Sequence, residues 1–407
     1  MHFAPMQEFF AEASGSASQS LIRPPLAVDA PSDPVLAWRE QFQAVVRPEA
    51  PHLLRAIGFD ALYDQMEDLF PLDGDFLPGF RQYDNAIWSC GSGALYDGDT
   101  GMALPGSILT RFPRHRQTPH CHSYRIELTS SPDSLSGLER AVYLPFAVCE
   151  NFGHFVTETM SFLWPFLVGN PIDPSLVGWP VMLTHCRPDD PMAPLLQGLV
   201  NGCQCFPLFD DQLPKALRLD QVLIPESSFS LHASCSPVYP RTAFAFGDWL
   251  LDSESPRSPV VPVVGKVFIS RSGLQRDVRC VDREPDLEAI LQDNGWMVFR
   301  PEQHVLADQI AVYRSARVIA GFEGSALHCL ATLGENPAGT SLIMLGDAYT
   351  SPDYLLQFRA QKLQGFFVQC TDLDPATEHD PMHLRRRLLN VTPESLASMI
   401  EALAAAC

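Results

Sequence analysis

Short apolar segments alternate with amphipathic ones along most of the chain. After residue 265, runs such as GKVFISR, WMVFRP, RVIAGF and SLIMLG have the length and composition of strands, and segments such as REPDLEAILQDNG separate them with helical periodicity. A weaker alternation runs from residue 150 to 225, behind a stretch of short strands and turn signals. Strands that alternate with helices are typical of a parallel sheet covered by helices. The pattern therefore predicts an α/β fold with a Rossmann-like C-terminal half.

Changes in composition along the chain predict the domain boundaries. The N-terminal segment is rich in Ala, Ser, Gly and Pro, which predicts a flexible arm over residues 1–35. The sequence DSESPRSPVVP, residues 252–262, shifts abruptly to Ser, Pro and charge and is the best candidate linker. We therefore expect an N-terminal α/β domain over 36–255, a C-terminal Rossmann-like domain over 263–390, and a C-terminal helix over 391–407.

Length, charge and cysteine content exclude several classes of protein. The chain has 407 residues, a net charge of −20 and 46% hydrophobic residues, so it can bury a substantial core. Its acidity argues against a binder of nucleic-acid polymers or anionic membranes. We expect no signal peptide and no transmembrane segment, because the basic and apolar runs that they need are missing. Eleven scattered cysteines fit reduced thiols, which predicts a cytoplasmic location.

The sharpest local pattern is a polar stripe on an otherwise apolar helix, NFGHFVTETMSFLWPFL. At about 100° per residue, Asn151, His154, Glu158 and Ser161 fall within about 80° of one another. A buried helix with such a stripe must satisfy its polar groups internally or line a cleft. His154 and Glu158 are four residues apart and can pair, which would hold the imidazole in one tautomer for general-base work. The alternative is a core hydrogen bond that only fixes packing.

A second candidate follows the strand RVIAGF, where Gly324 and Ser325 open a helix that carries His328. N–H groups at a helix start attract anions, and glycine lets a phosphate approach the backbone. Strand carboxyl ends are also where ligands bind in open α/β sheets. The alternative is an ordinary turn between a strand and a helix.

Basic and acidic side chains follow two other strands of this series. Arg271 ends one strand, and Arg276 and Arg279 lie in the loop after it. Guanidinium groups there could hold a phosphate with paired donors, or they could be surface arginines. Glu302 follows the next strand and is a candidate acceptor for ribose or sugar hydroxyl groups, although such acids are often turn or cap residues.

No metal site is predicted. Asp-x-Asp pairs can hold a divalent ion on a nucleotide diphosphate, but all three pairs in this chain lie in sequences typical of turns. The clustered cysteines and histidines lack a second ligand pair at zinc-finger spacing. These candidates are Asp73/Asp75, Asp97/Asp99, Asp372/Asp374, Cys203/Cys205 and His120/Cys121/His122.

Taken together, these motifs resemble glycosyltransferase family 61, also called DUF563 or capsular-polysaccharide-biosynthesis-like. The resemblance covers roughly residues 140–350. Departures occur at Glu323, where many members have His, at Cys329, where many have Asn, and at Arg283-Glu284, where an Asn-Glu pair is common. The motifs are, in chain order, Asn151-Phe-Gly-His154 with Glu158, Ile269-Ser-Arg271, Glu284, Pro301-Glu302, Asp308-Gln309-Ile310, Ala316, and Gly321-Phe-Glu-Gly324-Ser325-Ala-Leu-His328.

The resemblance implies a GT-B architecture, with two Rossmann-like domains facing a cleft. It also implies inverting transfer of a sugar from a nucleotide donor, usually UDP-linked, to a glycan or another hydroxyl acceptor in polysaccharide or glycoconjugate synthesis. We expect no metal and no cofactor. His154 and Glu158 would be catalytic, and Asn151 would lie on the acceptor side. The donor would be bound by Arg271, Arg276, Arg279, Glu302, Glu323, Gly324, Ser325 and His328.

Two other functions remain open at this level. A GT-B-shaped scaffold subunit could bind a glycan or nucleotide without turnover, as the departures at Glu323 and Cys329 suggest. A sugar-nucleotide epimerase would turn over without an acceptor. Association with other polysaccharide-synthesis enzymes is also open.

Overall fold

A computed structural model of the protein describes most of the chain. The described residues are 34–46, 54–67, 69–70, 76–90, 93–107, 137–145, 152–168, 179–184, 186–200, 203–206, 216–253, 265–274, 280–336, 339–374 and 386–407. Several predictions concern residues outside this set: the N-terminal arm up to residue 33, the linker, Asp73/Asp75, the His120–His122 cluster, Asn151, Arg276 and Arg279.

The runs GKVFISR, WMVFRP, RVIAGF and SLIMLG each contain a strand, and further strands lie elsewhere in the chain. The strands are β1 (Arg55–Gly58), β2 (Phe80–Ser89), β3 (Ala94–Asp97), β4 (Gly137–Leu144), β5 (Val181–Thr184), β6 (Cys203–Phe206), β7 (Ala216–Pro225), β8 (Phe229–Ser230), β9 (Ser234–Cys235), β10 (Lys266–Ile269), β11 (Met297–Phe299), β12 (Val318–Phe322), β13 (Ser341–Gly346), β14 (Gln364–Gln369), β15 (Thr371–Leu373) and β16 (Arg387–Leu389).

The α-helices alternate with these strands along much of the chain, with one helix before the first strand and one after the last. They are α1 (Pro34–Val46), α2 (Phe59–Met66), α3 (Phe152–His154), α4 (Trp164–Leu167), α5 (Ala193–Leu199), α6 (Val238–Ser253), α7 (Glu284–Asp293), α8 (Leu306–Ser315), α9 (Ser325–His328), α10 (Pro352–Ala360) and α11 (Pro393–Ala406). Among the described residues, no helix is long and apolar enough to cross a membrane.

The described residues form two compact units. Unit 1 lies within Asp73–Thr242, and unit 2 combines Ser32–Leu72 with Ala243–Cys407. This division differs from the predicted domains, because residues 36–72 belong with the C-terminal part of the chain. β1 pairs antiparallel with β14, and the Tyr63 hydroxyl group of α2 donates to Leu363 O at 2.9 Å. Such contacts join residues far apart in sequence, so local patterns do not reveal them.

The main sheet of unit 2 has the strand order β1-β14-β13-β12-β10-β11. All neighbours are parallel except the edge strand β1. β10 is the first of these parallel strands in chain order, β11 pairs with one side of it, and β12 pairs with the other side. This is the order of a doubly wound sheet. The strand order therefore reverses between β10 and β12, and the carboxyl ends at such a reversal are where open α/β sheets bind ligands.

Helices cover both faces of this sheet. On one face, Val318, Ala320 and Phe322 pack in a core with buried residues of α7 and α11. Side chains on a strand alternate between faces, so Phe367 lies opposite Val368 of that core. Phe367 meets Phe42 of α1 with ring centroids 5.1 Å apart. The predicted C-terminal helix is therefore an integral layer of unit 2.

The main sheet of unit 1 has the order β3-β2-β7-β4-β5-β6. β4, β5 and β6 are parallel and consecutive, and β7 returns to pair parallel with β4 on its other side. β2 and β3 extend the sheet antiparallel. Unit 1 is therefore a mixed sheet rather than a fully parallel Rossmann half, but its order also reverses, between β4 and β7. The predicted α/β class is confirmed.

Candidate functional site

The polar stripe of unit 1 lies at the carboxyl end of β7, beside the reversal point of the sheet. The Ser161 and Ser227 hydroxyl groups are 2.7 Å apart, and the Ser228 hydroxyl group donates to Ser161 O at 2.8 Å. Trp164 Nε1 donates to Glu226 O at 2.9 Å. The residues after β7 thus hold the helical segment at the edge where ligands bind in open sheets.

His154 and Glu158 form the predicted pair. His154 Nδ1 lies 2.5 Å from Glu158 Oε2, and their side chains are 35% and 2% exposed respectively. A buried carboxylate that accepts from Nδ1–H leaves the lone pair of the neutral imidazole on Nε2. The partly exposed ring therefore has the tautomer that a general base needs.

The backbone around this pair is irregular in a way that sequence periodicity missed. α3 continues as a π-helical turn, Phe155–Thr159, and a 3₁₀ turn, Met160–Phe162. Tyr239 supplies a hydrogen bond inside this segment, because its hydroxyl group donates to Val156 O at 2.9 Å. Pro165 in the first turn of α4 cannot donate a backbone N–H, which explains why the helix predicted through Leu167 is broken. Single π-helical turns occur frequently at functional sites.

In unit 2, the motifs after β10 and β12 come together at the sheet's reversal point. Arg271 Nη1 donates to Glu323 O, so the guanidinium group lies against the start of α9. A Cβ atom added to Gly324 would lie 3.0 Å from Arg271 Cζ and closer still to Nη1. A side chain at position 324 would therefore displace the Arg271 guanidinium group from this contact. The structure brings together Arg271 and Gly324, two residues that the sequence analysis assigned to donor binding.

Two buried acids of α7 support the Arg271 segment. Glu284 Oε1 accepts from Arg271 N at 2.8 Å, and Glu288 Oε1 accepts from the Ser270 hydroxyl group at 2.6 Å. Arg300 pairs with the other oxygen of Glu288. Burial raises the pKa of Glu284 to about 7, and the charge of Glu288 adds to this while the bond from Arg271 N opposes it.

Sequence reasoning gave Glu284 no role and did not single out Glu288. The signal available was a pair of acids one helical turn apart, directly after an arginine-bearing loop. Their contact with β10 depends on how α7 returns over the sheet.

His328 is held by two residues of α10. Gln357 Nε2 donates to His328 O at 3.1 Å, so Gln357 Oε1 is the acceptor for His328 Nδ1–H at 3.0 Å. The imidazole also stacks on Tyr354, with centroids 4.2 Å apart and planes 7° from parallel. The helix that begins at Ser325 is short, since α9 becomes a 3₁₀ turn at Cys329.

Glu302 and Glu323, which were also predicted for the donor site, lie near the Arg271 segment. The 3₁₀ turn after β11 contains Glu302, and a Cβ atom on Gly273 would contact Glu302 Oε1. Glu302 therefore lies beside the turn that follows Arg271. Glu323 is 7% exposed, and its N–H donates to Leu345 O of β13 at 2.8 Å. The departure at Cys329 is fully buried, and burial raises the pKa of that thiol to about 12.

The two aspartate pairs within the described residues are part of local structure. Asp97 Oδ1 accepts from Thr100 N and from the Thr100 hydroxyl group, both at 2.7 Å, and these bonds lower the pKa of Asp97. The turn interpretation is confirmed for this pair. It is wrong for Asp372, which lies within β15. Among the described residues, no three His, Cys, Asp or Glu side chains cluster as metal ligands would.

The protein therefore has an α/β fold in which the strand order of each main sheet reverses once. Polar side chains lie at the carboxyl ends of the strands at both reversals, and these are the candidate ligand sites. The Glycosyltransferase 61 family model matches residues 152–342, from α3 into β13. The resemblance to glycosyltransferase family 61 is thereby confirmed over these residues, which include both candidate sites. The match supports glycosyltransferase activity, with a sugar donor and an acceptor as substrates. No curated protein sequence matches the chain.

Proposed function

We propose that the protein is an inverting, metal-independent glycosyltransferase with a UDP-sugar donor. The acceptor is a hydroxyl group of a glycan or another molecule in polysaccharide or glycoconjugate synthesis. The observation that carries the proposal is the position of Arg271 at the reversal point of the unit 2 sheet, against Gly324. A GT-B architecture and a cytoplasmic location belong to the same proposal.

The donor diphosphate binds at Arg271. A guanidinium group has five N–H donors in a fixed fork, and Glu323 O accepts from one nitrogen. Gly324 and Ser325 add backbone N–H groups and a hydroxyl group at the start of α9. The positive charge stabilises the departing nucleotide, which is the role that a metal ion plays in other transferases.

Other predicted donor residues surround this centre. Glu302 beside the Arg271 turn accepts from ribose or sugar hydroxyl groups, and His328, whose ring Gln357 orients, is a further donor-binding residue. Glu323 directly precedes Gly324, the residue before α9, and completes the predicted set. Arg276 and Arg279, which lie outside the described residues, follow Arg271 closely in the sequence and add positive charge.

The transfer step uses the unit 1 pair. His154 Nε2 takes the proton of the acceptor hydroxyl group while its oxygen attacks the anomeric carbon of the donor. The bond from that carbon to the diphosphate oxygen breaks, and its electron pair leaves with the nucleotide. Glu158 stabilises the imidazolium ion that forms, and Asn151 contacts the acceptor. Glu158 and Glu323 are the alternative bases.

A titration with UDP tests the donor site. We expect UDP to bind the wild type and to bind Arg271→Ala at least about tenfold more weakly, since charge-assisted hydrogen bonds contribute about 1.5–3 kcal/mol. Arg317→Ala is the matched control, because Arg317 is an exposed arginine of the same unit. Equal affinity in both variants would contradict the proposal. Binding of UDP without turnover of any UDP-sugar would favour the scaffold function, and turnover without an acceptor would favour an epimerase.

A further inference from the structure

The Glu284 carboxyl group contacts the backbone of Arg271, the central residue of the proposed donor site. Glu284 is 1% exposed, and its Oε1 accepts from Arg271 N at 2.8 Å. Oε2 is also buried and has no hydrogen-bond partner among the described residues. A buried carboxylate normally requires a full set of donors or a cation, so this one is poorly compensated.

The neighbouring acid is compensated in a different way. Glu288 lies one turn further along α7, where Ser270 donates to one of its oxygens and Arg300 to the other. Glu288 therefore has a cationic hydrogen-bond partner, whereas the hydrogen bond to Glu284 comes from a neutral N–H. Hydrogen bonding therefore compensates a charge on Glu284 poorly.

We propose that Glu284 is a positioning residue of the donor site, and that the site binds a nucleotide diphosphate most tightly while the Glu284 carboxyl group is uncharged. The inference rests on the proposed function, because it concerns how the Arg271 segment holds the donor. In either form, Oε1 accepts from Arg271 N and fixes the backbone that carries the guanidinium group. The uncharged carboxyl group places no negative charge next to Arg271, where the diphosphate binds.

The groups facing Glu284 place its titration near neutral pH. Burial is the main cause of its raised pKa, about 7, and Glu288 on the same helix acts in the same direction. The bond from Arg271 N and the guanidinium groups of Arg271 and Arg300 oppose them. The carboxyl group therefore changes charge within the physiological range.

Ionisation of Glu284 weakens the attraction between Arg271 and an anion. A negative charge beside the guanidinium group offsets part of its field at the diphosphate. We therefore expect the affinity for UDP to fall as pH rises through about 7. By linkage, a bound diphosphate favours the protonated carboxyl group, so that UDP binding takes up a proton.

Calorimetric titration of UDP between about pH 6 and pH 8.5 tests this in the wild type, Glu284→Gln and Asp293→Asn. Gln keeps the shape and the acceptor oxygen of Glu but cannot ionise, and Asp293 is an exposed acid at the other end of α7. At about pH 6, the wild type and Glu284→Gln should bind UDP with equal affinity. At about pH 8.5, the wild type should bind UDP about tenfold more weakly than Glu284→Gln does. Asp293→Asn should follow the wild type. Titration of UDP itself affects all three proteins alike and cancels in the ratios.

A second measurement needs no variant. At about pH 8 the phosphates of UDP are fully ionised, since their last pKa is about 6. Titrations in buffers of different ionisation enthalpy should then reveal proton uptake on UDP binding to the wild type. If the ratio of the wild-type affinity to the Glu284→Gln affinity is the same at every pH, and no proton is taken up, the role of Glu284 is overturned. The proposed function would not be affected by that result. Absence of UDP binding at every pH would overturn the proposed function and, with it, this inference.

Discussion

Replacing Glu284 with Gln should make the protein more stable at neutral and alkaline pH. The side chain is buried, with Oε1 on Arg271 N and Oε2 without a described partner. Gln preserves the shape and the acceptor for Arg271 N, and it removes the ionisation. The free energy of unfolding, compared between variant and wild type at each pH, isolates the contribution of this one group.

The sign and size of the effect follow from the pKa of Glu284, which rises from an ordinary 4.5 to about 7. Below the lower value the carboxyl group is protonated in both the folded and the unfolded chain, and ionisation costs no stability. Between the two values the unfolded chain loses its proton first, so wild-type stability falls as pH rises. The free energy of unfolding changes by about 1.4 kcal/mol for each pH unit between the two pKa values, which amounts to a loss of about 3 kcal/mol over the whole interval.

Urea denaturation at several pH values between about 4.5 and 8 measures this difference. The stability of Glu284→Gln minus that of the wild type should grow by about 3 kcal/mol across this range and level off above about pH 8. Asp293→Asn, on the exposed end of the same helix, should show no such growth. A difference for Glu284→Gln that stays constant with pH would refute the reasoning, because it would mean that the buried carboxyl group titrates alike in both states.

Two other substitutions test close contacts. Gly324→Ala places a Cβ atom 3.0 Å from Arg271 Cζ, so we expect UDP affinity to fall about tenfold by calorimetry; Gly265→Ala, which has open space around it, should bind UDP normally. Tyr239→Phe removes the hydroxyl group that donates to Val156 O in the π-helical turn. It should lower the free energy of unfolding in urea by about 1 kcal/mol, and an unchanged midpoint would contradict that role.

The elements of unit 2 were predictable because their signals are local. The run SLIMLG is β13 to the residue, since six consecutive buried positions leave an apolar run in the sequence. Helix α11 begins where Thr392 accepts from Ser395 N at 3.2 Å, which the Thr-Pro-Glu start signal indicated. The pair of His154 and Glu158 was equally local, because residues four apart on a helix are neighbours.

Other features depend on contacts that no sequence window contains. β1 joins unit 2 only because it completes the edge of a sheet at β14. The π-helical turn at Phe155–Thr159 is accompanied by a hydrogen bond from Tyr239, a residue far from it in sequence. The contact of Glu284 with Arg271 N likewise arises when α7 folds back over β10. Periodicity locates such residues on an element but does not predict their partners.

The central claim is that the protein transfers a sugar with His154 as the base. The most direct measurement is acceptor-dependent release of UDP from a panel of UDP-sugars, with the product analysed, in the wild type and in His154→Ala. We predict turnover that requires an acceptor, a decrease of at least about 100-fold in His154→Ala, and unchanged UDP affinity in that variant. Near-normal turnover of His154→Ala, or release of UDP that does not depend on an acceptor, would contradict the account.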